Sequence, residues 1–174
     1  GDGGATDATS IGCYVVQMLS TGRHRLLRVG NWYYDGGQMA MSDQARHICG
    51  EFIPAMRQKT GMRESSIMID PACKALRLEI DKLGYQTTKA DNNGHDIKGT
   101  SKGIKVGIEM LQNSMQDGRF FLVEDDRYGS DAFVKEAGLY CTNETTGEPV
   151  DAYNHGMDET RYAHTYFAKT YGYW

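Results

Sequence analysis

Three stretches of the 174-residue chain hold carboxylates where they could do chemistry. The first is Asp2-Gly3-Gly4-Ala5-Thr6-Asp7-Ala8-Thr9, where two glycines leave room around the Asp2 carboxylate for a metal or a phosphate. Asp-Gly is also a common turn dipeptide, so a plain turn competes with a site there. The second is Asp70, which ends the apolar run Ile67-Met68-Ile69 and precedes Pro71. An acid at the end of a buried strand lies where α/β sheets gather ligands. It would equally cap a following helix with Pro at the first position. The third is His155-Gly156-Met157-Asp158, whose i, i+3 spacing puts both polar side chains on one helix face. Tyr162 and Tyr166 continue that face from Asp158. The helix macrodipole alone would also favour an Asp near a helix start, and Glu148, Asp151, Asp158 and Glu159 read otherwise as a solvated acidic face. Converging on one point, Asp2, Asp70 and Asp158 would offer only oxygen ligands, which suit Mg²⁺ or Mn²⁺ better than Zn²⁺. Two such ions ~3.5–4 Å apart can activate a water and steady a leaving oxygen in phosphoryl transfer.

The elements that must position these acids follow from periodicity. Residues 11–19 and 25–34 are rich in β-branched and aromatic side chains, and a short polar link with one Gly joins them as an antiparallel hairpin. Ser42 is placed to cap a helix reaching Lys59, with Ala45, Ile48, Cys49, Phe52 and Met56 on one face, a kink or boundary at Pro54 and a stop at Gly61. Residues 67–70 read as a buried parallel strand, and 72–83 as a helix with Leu76, Ile80 and Leu83 inward, closed by Gly84. A strand over 85–89, a loop over 91–99, a helix over 101–115, a strand over 120–123, a short helix over 131–138, a polar loop over 142–149 and a last helix over 154–169 complete the order. A hairpin followed by strand–helix alternation predicts an α/β layer architecture with a mixed sheet.

Composition narrows the class. Hydrophobic residues are 40% and charged residues 24% of the chain, which excludes a disordered tail or a fibrous repeat. The length suits one domain, taken as 1–174. No run approaches the ~20 apolar residues of a spanning helix, and no charged-then-apolar leader opens the chain. Cys13, Cys49, Cys73 and Cys141 are too far apart for a CxxC unit and read as reduced core or half-buried thiols. The net charge of −4 argues against a domain that clings to nucleic acid by electrostatics alone. Locally the balance differs. Residues 21–63 carry Arg23, Arg25, Arg28, Arg46, Arg57, Lys59 and Arg63 against three acids, and residues 86–105 carry Lys89, Lys98, Lys102 and Lys105 against two. These either form ordinary solvated surface or a phosphate-tracking rim, whose candidate contacts are Arg23, Arg25, Lys89, Lys98, Lys102 and Lys105.

At the acidic stretches the chain resembles the C-terminal nuclease domain of the large terminase subunit of tailed bacteriophages. The first family motif, an Asp, a Gly two on, then Asp-Pro-Thr, is matched by Asp2, Gly4 and Asp7-Ala8-Thr9, with Ala8 in place of Pro. The second, a hydrophobic run ending in Asp, is matched by Ile67–Asp70. A Gly-Ile segment opening a helix is matched by Gly103-Ile104 or Gly107-Ile108. The closing motif Asn-His-x-x-Asp-Ala-x-Arg-Tyr-Ala is matched over Asn154–Ala163 except at Glu159.

The resemblance implies an RNase H-like fold: a mixed central sheet, antiparallel hairpin first, with helices on both faces. It implies metal-dependent cleavage of double-stranded DNA with little sequence specificity during viral genome packaging in the host cytoplasm. Asp2, Asp70 and Asp158 would be the metal-holding catalytic acids for two Mg²⁺ or Mn²⁺ ions, with His155 beside them tuning a carboxylate or contacting phosphate. Partners would be DNA, the terminase ATPase domain, the portal and the small terminase subunit. The chain has no GxxxxGK[ST] loop, so the ATPase is expected elsewhere. The first central strand is expected to begin before Asp2 and to be truncated here. Two other readings share parts of this pattern: another RNase H-like phosphodiesterase, of junction-resolvase or transposase type, and a non-catalytic docking module of the packaging machine.

Overall fold

In the computed structural model, which describes residues 1, 8–91, 103–139 and 154–172, the chain is organised around one hairpin. Strands β1 (Thr9–Met18) and β2 (His24–Tyr34) pair antiparallel from Thr9 opposite Tyr34 to Met18 opposite His24. Gly22, at φ 80°, supplies the left-handed residue that lets Leu19 bond back to Arg23 across the turn at 2.7 Å. Cys13 faces Gly30 and Tyr14 faces Arg28, so Val29 is an extra residue on β2, a β-bulge. A Cβ on Gly30 would fall 2.4 Å from Met56 Sδ, so a larger residue there would have to displace that side chain.

The hairpin is buried on both faces, which explains its near-continuous apolar sequence. Ile11, Cys13, Val15, Leu27 and Val29 enter one core, and Tyr14, Val16 and Leu26 enter a second. The first core is closed by helices α1 (Met41–His47), α2 (Ile53–Thr60) and α3 (Lys74–Lys82). The second is closed by α4 (Ile104–Gln116), α5 (Asp131–Leu139) and α6 (His155–Tyr171) through Leu111, Phe133 and Phe167. Burying each such side chain contributes roughly 1.5–3 kcal/mol.

Strands β3 (Ile67–Ile69) and β4 (Thr87–Lys89) pair parallel as a small sheet, with α3 between them in the chain. Strand β5 (Phe120–Leu122) lies parallel to β2, giving a mixed sheet in the order β1-β2-β5. Gly1 bridges toward the β3–β4 pair: its amine donates to the Met68 carbonyl at 2.6 Å and its carbonyl accepts the Asp70 N–H at 2.9 Å. These two bonds follow the parallel-ladder pattern. A Cβ on Gly1 would meet Ile11 Cδ1 at 2.1 Å and Ile69 Cδ1 at 3.2 Å, so the residue is wedged between β1 and β3.

Between α1 and α2 the helix widens into a π-turn, Ile48–Phe52, immediately before Pro54. A proline inside a helix lacks the N–H that would bond four residues back and crowds the carbonyl there. The wider turn accommodates that, which is the boundary expected at Pro54. The five residues assigned to the buried face, Ala45, Ile48, Cys49, Phe52 and Met56, are all buried. Gly61, at φ 68°, ends α2 by donating to the Arg57 carbonyl at 2.9 Å.

Three expectations need correction. Ser42 is not the cap of α1, which begins at Met41 after Ala40 without a side-chain cap. Helix α3 begins at Lys74 rather than at residue 72, because 71–73 form a turn. Leu83 is 46% exposed at the end of α3, while Leu76 and Ile80 are buried. Cys13 and Cys49 are free thiols, and burial pushes both up to about 11. The loops expected over 91–99 and 142–149, together with Cys141, lie outside the described residues apart from Asp91. Among the described residues no helix is long and apolar enough to cross a membrane.

Candidate active site

Asp70 follows directly on β3 and is 6% exposed. Its backbone is fixed on both sides: the N–H donates to Gly1, and the carbonyl accepts the Cys73 N–H at 3.0 Å. Its Oδ1 accepts the Ala72 N–H at 2.6 Å, closing an Asx turn that Pro71 helps shape. Asp70 therefore caps a turn, and Cys73 occupies the N-cap position of α3. Its Oδ2 accepts a short hydrogen bond from the Tyr162 hydroxyl.

Helix α6 presents the other acid. Asn154 is its N-cap, His155 is half-buried at the first position, and Asp158 lies in the first turn, where the macrodipole favours a negative charge. Asp158 Oδ1 accepts Arg161 Nη2 at 3.1 Å and Nε at 3.3 Å. One turn beyond Asp158, Tyr162 is buried, and the Arg161 guanidinium lies over its ring, 4.7 Å from the centroid. The Tyr162 phenol is pushed well up by burial first, then by its bond to Asp70 and the negative charge of Asp158. The fold thus brings Asp70, at the end of β3, to the Tyr162 phenol of α6, within electrostatic reach of Asp158.

Asp2, Lys98 and Lys102 lie outside the described residues. Gly1, whose carbonyl carries the peptide bond to Asp2, is bonded to Asp70. Among the described residues no group of three His, Cys, Asp or Glu side chains could hold a metal. The acids that are described fit a hard divalent cation in chemistry, since both offer carboxylate oxygen. Each Asp70 oxygen accepts one hydrogen bond and retains a second lone-pair position for a cation.

The basic residues are divided differently from their grouping in the chain. Arg28 is not surface: it is 0% exposed, and its Nη2 faces Glu159 Oε2 at 3.0 Å, with Glu159 2% exposed. Arg28 Nη1 also donates to Tyr14 Oη at 3.1 Å and to Thr160 Oγ1, while its guanidinium lies 4.6 Å from the Phe133 ring centroid. Arg46, Arg57 and Lys59 are engaged by Asp43, Glu64 and Asp125. Arg25 is half-buried against Phe121, its guanidinium 5.1 Å from the ring centroid. Arg23, Lys89 and Lys105 are exposed, on the hairpin turn, β4 and the start of α4. Glu159 supplies the counter-charge of buried Arg28, and Gly12 on β1 makes room for it. A Cβ at Gly12 would meet Glu159 Oε1 at 2.3 Å. The sequence signal for this pair was a lone glycine in a bulky strand and a lone acid in a familiar motif.

Taken together, the hairpin, the parallel β2–β5 pair and the helices on both of its faces define a mixed α/β fold. It is similar to solved structures of the large terminase from a thermophilic bacteriophage. One crystal form superposes with a TM-score of 0.63 at 18% identity, covering 93% of this chain and 37% of that one. An ADP complex gives 0.63 at 18% identity over 92% and 37%, and a second crystal form 0.62 at 19% over 93% and 36%. The chain thus spans little more than a third of that protein, and the likeness is one of fold. No protein-family model and no curated protein matches the chain.

Proposed function

We propose that the chain is the nuclease part of a large terminase, a Mg²⁺- or Mn²⁺-dependent endonuclease that cuts double-stranded DNA with little sequence specificity during genome packaging. The observation that carries this reading is the meeting of Asp70, at the end of β3, with α6 through Tyr162, one turn beyond Asp158. It is supported by the likeness of fold to part of a terminase.

Asp2, Asp70 and Asp158 would hold the ions, which when bound would supply a water of lowered pKa and charge neutralisation at the leaving oxygen. The chain's own contribution is orientation. Asp70 is pinned by the Ala72 N–H and the Tyr162 hydroxyl. Asp158 is steadied by Arg161, and His155 shares its helix face. Arg23, Lys89 and Lys105, exposed outside the two cores, would meet DNA phosphates. The ATPase domain, the portal and the small terminase subunit are the partners in this reading, in the host cytoplasm.

The test is plasmid nicking in Mn²⁺. Wild type converts supercoiled DNA to nicked and linear forms, and Asp70→Ala or Asp158→Ala, shown folded by circular dichroism, loses at least 100-fold. Nicking by either variant at the wild-type rate would refute the assignment.

A further inference from the structure

Tyr162 donates a hydrogen bond from the helix of one acid to the other acid at its strand end. Its ring is buried and held from outside by Arg161, so the hydroxyl cannot swing away without repacking. Asp70 Oδ1 is already anchored to the Ala72 N–H. A carboxylate bonded through one oxygen can still turn about its Cβ–Cγ bond; bonded through both, it cannot. From this geometry we propose that Tyr162 is a positioning residue of the site. Its phenol fixes the plane of the Asp70 carboxylate so that the remaining lone pair on each oxygen is aimed at a divalent cation. The inference rests on the metal-dependent reading above and assigns the Tyr of the closing motif a role distinct from packing. Partners of this kind orient ligating groups, and their loss typically costs ~10–100-fold in metal affinity.

Tyr162→Phe removes only the hydroxyl and leaves the ring under Arg161. Isothermal titration with Mn²⁺ is the primary readout, because a purely structural hydroxyl would not move it. Wild type binds, and the folded Phe variant binds at least 10-fold more weakly. In nicking assays its kcat falls while its KM for DNA holds. In an Asp70→Asn background the Phe substitution adds nothing to the loss of Mn²⁺ affinity. If the Phe variant fails to fold, native protein serves: Mg²⁺ addition gives a saturable tyrosine difference absorption that Asp70→Asn abolishes, and binding without that signal overturns the inference. Wild-type binding with an unchanged affinity in the Phe variant overturns the positioning role and leaves the nuclease reading standing. No Mn²⁺ binding by wild type overturns both.

Discussion

The Arg28–Glu159 pair fixes how α6 lies on the hairpin, and its strength can be worked from its surroundings. Both side chains are out of water, at 0% and 2% exposure, with 3.0 Å between Nη2 and Oε2. Removing one member of such a pair costs ~3–5 kcal/mol, because the other charge stays buried without its counter-ion. The two members are not equivalent. In Glu159→Leu, Arg28 keeps Tyr14 Oη, Thr160 Oγ1 and the faces of Tyr14 and Phe133, so the cost lies near ~3 kcal/mol. In Arg28→Met, Glu159 loses its facing cation, and the cost lies near ~5 kcal/mol. The double variant removes both charges and destabilises less than either single change. The assay is urea unfolding followed by circular dichroism, as a double-mutant cycle. With an m-value of ~2 kcal/mol per M, the Leu variant's midpoint falls by about 1.5 M. Buried charges are poorly screened, so the coupling persists in molar salt. Additive single changes, or single variants within ~1 kcal/mol of wild type, would show that the pair is not the element that seats α6.

Two further predictions concern the same helix. His164 is buried, and its Nε2 meets Ser114 Oγ at 2.7 Å. Burial first, then the charge of Arg119, pushes it down to about 4. Between pH 6.5 and 4 the unfolded chain therefore binds the proton that the folded chain refuses. The contribution of His164 to stability is flat above the ordinary histidine value and falls toward the depressed one with a slope approaching ~1.4 kcal/mol per pH unit. His164→Gln should flatten that slope in pH-dependent urea melts, and an unchanged slope would count against the assignment. At Gly12, where a Cβ would meet Glu159 Oε1 at 2.3 Å and Tyr14 Cε2 at 2.7 Å, Ala substitution should cost ~1–3 kcal/mol by overpacking. A thermal midpoint equal to wild type would refute it.

What the sequence disclosed and what it withheld divide along the range of the interactions. The inward face of α1 and α2 repeats at helical spacing, so Ala45 to Met56 could be placed without knowing what they pack against. Asp70 was legible as a strand end because the apolar run stops at it. The parallel pairing of β2 with β5 was not, since three residues of Phe and Leu do not name a partner strand. Arg28 reads as surface in the sequence because local composition counts charges and not their burial. Its contact with Thr160 spans 132 positions in the chain. Tyr162 stood on the right face of α6, but its acceptor comes from another element altogether.

The hairpin separates two hydrophobic cores, and the candidate site does not belong to either one. Asp70 follows Ile69 and precedes Cys73, both in the α1–α3 core. Asp158 and Tyr162 ride on α6, which enters the other core through Phe167. A shift of α6 along the hairpin, which the Arg28–Glu159 pair opposes, would part Tyr162 from Asp70 while each core stayed closed. The proposed chemistry is thus a gauge of alignment between halves, sensitive to sub-global opening that neither core would register.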